Sequence, residues 1–89
     1  MSSQTLGQAR VGLSFNPSGD PDVSEAKERA AGLIDYAQEF AEQARQEADM
    51  HLISGSLAGE KRRLVALSQT AAEEAAMWLV KAITKEEPA

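Results

Sequence analysis

The chain has 89 residues, a formal net charge of −5, no cysteine and one histidine. A domain this small buries only about 60% of the surface its unfolded chain exposes; without cysteine, disulfides and thiolate metal sites are excluded as staples, which leaves oligomerisation. The acidic balance argues against duplex nucleic-acid binding, which needs a basic face, but not against a small phosphate ligand. Met1 to about Gly12 is mildly apolar, with Leu6, Ala9 and Val11, and reads as a short helix or a mobile arm. A loop from Phe15 to Asp22 follows, punctuated by Asn16-Pro17 and Ser18-Gly19; Asn16 is pushed away from helical angles by the proline after it. At the next helix start, Asp20-Pro21 suits an N-cap followed by N1, while Asp22 with Glu25 suits a capping box; either can be the true cap.

The first long helix is expected over residues 22–53. Val23, Ala26, Ala30, Leu33, Ala37, Phe40 and Ala44 form one apolar stripe, and Ile34, Ala41, Ala48 and Leu52 a neighbouring one. Glu25–Arg29 and Arg45–Asp49 are opposite charges one turn apart, each adding about 0.2–0.5 kcal/mol. At 1.5 Å per residue such a helix spans about 50 Å. Ser54-Gly55-Ser56 is the interior turn, and the second long helix is expected over residues 57–84. Its stripe is Leu64, Leu67, Ala71, Ala75, Trp78 and Ala82, widened by Val65, Ala72, Ala76, Leu79 and Ile83. Residues 85–89 form a polar tail expected to fray. The fold class is therefore all-α: a short N-terminal segment (1–22, arm and candidate ligand loop) plus an antiparallel two-helix hairpin in a single domain. Each apolar face is wider than one partner helix covers, and alanine-rich seams let axes approach closely. At least a dimer of hairpins, or a larger symmetric assembly, is expected; the alternative is a monomer with an under-filled core.

Few residues carry chemistry. Phe15 either plugs the end of the hairpin or stacks on a nucleobase, a contact worth about 1–3 kcal/mol for any base. Asn16 either reads a base edge or phosphate, or caps its own turn. Lys27 and Arg29, near the start of the first long helix, are either a solvated face or a phosphate contact. Lys61-Arg62-Arg63 is the one basic cluster and opposes the helix dipole slightly. Arg63 and Thr70 share a face that could line an anion pocket between subunits. Glu73-Glu74 lacks the Glu-x-x-His pattern of carboxylate metal bundles and reads as surface or intersubunit contact. Met77-Trp78 reads as core or interface, and His51 as a polar helix end. With no nucleophile–base pair, Gly-rich phosphate loop or metal spacing, no enzyme, metal or cofactor is expected. No apolar run approaches the roughly eighteen residues of a membrane span. Met1-Ser2-Ser3-Gln4 lacks the features of a secretory signal, so a soluble, cytoplasmic protein is expected.

Phe15-Asn16-Pro17-Ser18-Gly19-Asp20-Pro21, the helix start Val23-Ser24-Glu25-Ala26-Lys27, and Thr70-Ala71-Ala72-Glu73-Glu74-Ala75-Ala76-Met77-Trp78-Leu79-Val80-Lys81-Ala82 together resemble small phage proteins. These are the cyclic-oligonucleotide sponges that block bacterial CBASS immunity, of the second anti-CBASS type; the resemblance covers about residues 10–84. It implies a homohexamer built as a trimer of interlocked dimers, acting in the cytoplasm of the infected bacterium. Cyclic dinucleotides such as 3′,3′-cyclic GMP-AMP would be held, not cleaved, in pockets between two subunits. Cyclic trinucleotides would sit in separate pockets near the three-fold axis. The resemblance maps the base-stacking aromatic onto Phe15, within the Phe15-Asn16-Pro17 loop, and a phosphate-gripping basic residue onto Lys27, with Arg29 as the alternative register. It maps the trinucleotide pocket onto Arg63, Ala66, Leu67 and Thr70, with Gly12 bordering the same region.

Two other readings compete. A helical adaptor or regulatory protein would use the same apolar faces to bind partner-protein helices. A hydrolase of the same nucleotides fails, because no His or carboxylate cluster is available to activate water.

Overall fold

The computed structural model describes residues 3–87, and they form three helices: α1 Leu6–Val11, α2 Pro21–Asp49 and α3 Gly55–Ile83. The long pair is the expected antiparallel hairpin, and the expected N-terminal segment is a helix rather than an arm. The parts of the expected signal-free start and fraying tail that fall on residues 1, 2, 88 and 89 lie outside the described residues; Lys85–Glu87 have no regular structure.

Each helix starts where a side chain satisfies the free N–H groups. Thr5 and Gln8 make a reciprocal capping box on α1. Asp20 caps α2 by accepting from the Asp22 N–H at 2.8 Å, with Pro21 at N1, so Asp20 and not Asp22 is the cap. Ser54 caps α3, its hydroxyl accepting from the Leu57 N–H at 3.0 Å.

The turn between the long helices falls earlier than the sequence suggests. α2 stops at Asp49 rather than 53, and α3 begins at Gly55 rather than 57. Ser54-Gly55-Ser56 is the first turn of α3, not the loop. α2 ends in a Schellman arrangement: Leu52 N–H bonds to the Glu47 carbonyl at 2.8 Å and His51 N–H to the Ala48 carbonyl at 3.1 Å. His51 takes the left-handed conformation (φ 59°) that glycine usually fills here. α1 ends the same way, with Gly12 at φ 64° and Leu13 N–H bonded to the Gln8 carbonyl at 3.0 Å.

The hairpin seam is alanine. Val23, Ala26, Ile34, Ala37 and Ala44 of α2 and Ala58, Ala72 and Ala76 of α3 are buried, Ala31 is buried beneath α1, and Ile34 is the one large side chain fully buried among the described residues. On α3 the inward stripe runs through Ala58, Gln69, Ala72 and Ala76, with Val65, Val80 and Ile83 half-buried. The stripe of Leu64, Leu67, Ala71, Ala75, Trp78 and Ala82 is exposed, outside the buried seam, and Trp78 is 61% exposed. On α2, Leu33 and Phe40 are likewise about half exposed (52% and 48%), beside the edge-to-face Tyr36–Phe40 pair. The thin dimension of the fold, 12 Å against a length of 61 Å, is about one helix diameter.

α1 lies on α2 through a backbone contact. A Cβ built on Gly7 would overlap the Ala31 carbonyl, so only glycine allows this approach. The Gly7 N–H, free at the helix start, donates to Asp35 Oδ1 at 2.7 Å. Gly7→Ala should lower stability by about 1–3 kcal/mol, the usual cost of overpacking, in a urea melt. Amide exchange should show α1 opening while α2 and α3 stay protected.

Candidate functional site

The loop between α1 and α2 is cross-linked by its own side chains. Asn16 Nδ2 donates to the Asp20 carbonyl at 2.8 Å and to Ser24 Oγ at 3.0 Å, and its Oδ1 accepts from Ser18 Oγ at 2.8 Å. The Asp20 N–H donates back to Ser18 Oγ at 3.2 Å. Gly19 takes a positive φ of 68°, and its N–H bonds to the Asn16 carbonyl at 3.1 Å. Within one chain Asn16 is thus the staple of its turn, the second of the two roles open to it from sequence. Phe15 does not plug the hairpin, because the residue is 70% exposed.

Lys27 lies under this loop. It is only 9% exposed, and its ammonium donates to the carbonyls of Gly12 (3.0 Å) and Phe15, with Nζ 5.5 Å from the Phe15 ring centroid. Phe15, Asn16, Pro17 and Lys27 line a cleft of about 220 Å³, closed by Val23, Val80 and Thr84 from the ends of the long helices. Lys27 and Val80 also border a larger cleft of about 500 Å³, formed with Arg10, Val11, Glu73, Met77 and Lys81. The Lys81 ammonium stands 5.1 Å from the Trp78 ring centroid.

Arg29 stands apart from the loop cleft. It pairs with Glu25 at 2.9 Å and lines a different groove, with Leu33 and Leu79. Arg63, Ala66, Leu67 and Thr70 share one exposed face of α3. Arg63 is held by Glu60 at 2.7 and 3.0 Å; this hydrogen bonding raises the Arg63 pKa and lowers that of Glu60 below the usual carboxylate range. The fold does not bring Gly12 to that face. Gly12 sits beside Lys27, near the cleft that Ala76 borders, and Arg63 lies thirteen residues (76 − 63) along α3 from there, about 20 Å. A pocket using both therefore needs more than one chain.

The structure also singles out residues that sequence reasoning passed over. Gln69 is 5% exposed in the alanine seam; it donates to the Ile34 carbonyl at 3.1 Å and to Gln38 Oε1 at 3.0 Å, and accepts from Arg10 Nη1 at 3.3 Å. Arg10 also pairs with Glu73, which is thereby an intrachain partner. The available signal was spacing: Gln69 falls four residues after Val65 and three before Ala72, a polar side chain on an apolar stripe. Met77 and Trp78, about half exposed, are not core of this chain.

A helical hairpin with an exposed aromatic on a rigid loop at its open end has the build of a ligand-binding module. The family model for the Acb2/Tad1 hairpin domain matches residues 7–84, and the chain belongs to this family. The match begins at Gly7, the contact residue of α1, and runs past the end of α3, in agreement with the resemblance to anti-CBASS sponges, a family that sequesters nucleotides rather than converting them. No curated protein and no solved structure matches the chain. Among the described residues, no helix is long and apolar enough to cross a membrane, and no acidic, His or Cys cluster is placed to hold a metal.

Asn16→Ala removes three side-chain bonds from the loop. It should speed amide exchange at Gly19 and Asp20 by about 5- to 30-fold, the effect of losing 1–2 kcal/mol of local stability. The melting of α2 and α3 should barely move.

Proposed function

We propose that this protein sequesters cyclic dinucleotide messengers, and cyclic trinucleotides at a second site, without cleaving them, and so inhibits CBASS defence in the cytoplasm of an infected bacterium. The observation that carries this reading is Phe15, an aromatic residue 70% exposed on a loop tied down by hydrogen bonds from Asn16 and Lys27. A solvent-exposed ring held this firmly is pre-organised for stacking, so little ordering entropy opposes binding. Phe15, Asn16, Pro17 and Lys27 form the dinucleotide site, to which Arg29 could be added only from another subunit. Arg63, Ala66, Leu67 and Thr70 form the trinucleotide face, completed by Gly12 of a neighbouring chain.

Assembly into a homohexamer belongs to the same reading. Drug-sized ligands occupy pockets of roughly 300–1,000 Å³, and the loop cleft alone holds about 220 Å³. A second subunit over the outer apolar stripe would enlarge it while covering Leu64, Leu67 and Trp78. Inhibition then follows by mass action: protein at a concentration comparable to the messenger lowers the free messenger without breaking a bond. The exposed stripe equally suits an adaptor that binds partner-protein helices. Solution mass discriminates, a stable six-fold assembly favouring the sponge and a monomer or loose dimer the adaptor.

Isothermal titration with 3′,3′-cyclic GMP-AMP, followed by chromatography of the released nucleotide, tests the reading. Tight binding with intact nucleotide is expected; no binding, repeated with a cyclic triadenylate, would overturn it. Phe15→Ala should weaken dinucleotide binding by about 5- to 150-fold, the loss of one stacking contact, with unchanged solution mass. Arg63→Ala should weaken only the cyclic trinucleotide, since Arg63 lies far from the loop cleft.

A further inference from the structure

Polar groups, more than apolar area, join α1 to the hairpin. Of its six residues Gly7 is the buried one, and Leu6 is 44% exposed. Burial of apolar surface is what normally welds one element to the next, and α1 supplies little of it. A helix this short does not persist in water alone, since isolated helices below about 12–15 residues are marginal. α1 is therefore helical because it is docked.

Three polar ties dock it. At its start the Gly7 N–H donates to Asp35 Oδ1 at 2.7 Å, and at its end the Gly12 carbonyl accepts from Lys27 Nζ at 3.0 Å. Both of these lead to α2. Between them Arg10 reaches α3, where its Nε meets the Glu73 carboxylate and its Nη1 donates to Gln69 Oε1 at 3.3 Å. Gln69 and Glu73 stand one turn apart, so a single planar guanidinium serves both. Arg10 makes α1 a bridge across the hairpin instead of a segment lying on α2.

The hairpin loses little when these ties part. Asp35 and Glu73 are half-buried, so water replaces the partner that leaves. Gln69 is buried, yet its amide N–H groups are committed inside the seam, to the Ile34 carbonyl and Gln38 Oε1. Its Oε1, which faces Arg10, meets water once α1 has gone. The far half of the Phe15 loop also stays in place, because the Asn16 side chain bonds to Ser18, Asp20 and Ser24.

We infer that α1 is a releasable strap, undocking and unwinding as a unit while α2 and α3 stay packed, with Arg10 as its latch onto α3. The strap works in the ligand-free protein and does not rest on nucleotide binding. Arg10 also lies in the last turn of α1, where a cation favours the helix dipole, so a test must separate that local effect from the latch.

Amide exchange on the full-length, ligand-free protein does so. In the wild type the Ala9, Gly12 and Leu13 amides, bonded within α1 and its cap, should exchange about tenfold or more faster than those around Ile34, at a rate that low urea leaves unchanged. Equal protection of the two sets would overturn the inference. Arg10→Met, which keeps an apolar stem, should speed the α1 amides about five- to tenfold, the loss of one part-exposed charged pair and its hydrogen bonds, with seam amides and helicity by circular dichroism unchanged. Unaltered α1 exchange, or equal acceleration in the seam, would overturn it. Glu73→Gln should speed α1 exchange in the wild-type background and by less than about twofold in the Arg10→Met background, since both changes break the same latch. Equal effects in the two backgrounds would assign Arg10 a helix-dipole role alone and remove it as the latch.

Discussion

The constraint on which the rest of this structure depends is the alanine seam between α2 and α3. Small side chains let two helices of 29 residues each pack closely, and close approach multiplies weak contacts along the whole length. Alanine also supplies little apolar area, so the core contains one large fully buried side chain, Ile34. A fold about one helix thick has no second layer to cover its outer faces. The large apolar residues, Leu64, Leu67, Trp78, Leu33 and Phe40, are consequently outside the seam. The hairpin keeps its bulk for its surface.

Polar side chains do the locating that a featureless alanine seam cannot. A slide of one helix along the other by a turn would bring alanine against alanine again, at modest loss. Gln69 prevents that, because its amide meets the Ile34 carbonyl and Gln38 in one register alone, and a buried amide left unpaired costs about 1–3 kcal/mol. The same side chain accepts from Arg10, which also pairs with Glu73, so the register of the hairpin and the seat of α1 are coupled. Gly7 and Asp35 complete that seat. α1 in turn brings the Gly12 carbonyl to the Lys27 ammonium, which also donates to the Phe15 carbonyl. Polar contacts and the backbone of α1 together link the middle of the seam to the Phe15 loop.

Much of this architecture was readable in advance. Runs of apolar residues at helical spacing and the Gly/Pro-rich interval before Pro21 gave the helices and the loop. The family resemblance marked Phe15 as the stacking residue, and its exposure suits that role. The turn was misread because α2 ends without a glycine: His51 takes the left-handed position, while Met50, Leu52 and Ile53 continue the apolar pattern. The inner face of α3 was left open because alanine and leucine occur on both stripes, and the bulkiest side chain, Trp78, lies on the outer one. Hydrophobic size favours the stripe that the fold leaves outside. Lys27 and Gln69, polar by type and buried in fact, could not be ranked by pattern.

The sequence by itself determined that this chain is helical, hinged once, free of disulfides and equipped with an aromatic loop. These are local properties, expressed by a residue and its neighbours within a turn or two. Tertiary structure decided which stripe faces the partner helix, that Lys27 turns to the loop carbonyls, and that Gly12 and Arg63 lie at separate stations along the hairpin. It also joined Arg10 to Glu73 across 63 positions of sequence. Such choices depend on which distant group satisfies a buried donor or acceptor, and no local spacing encodes the partner's position until the two helices have packed.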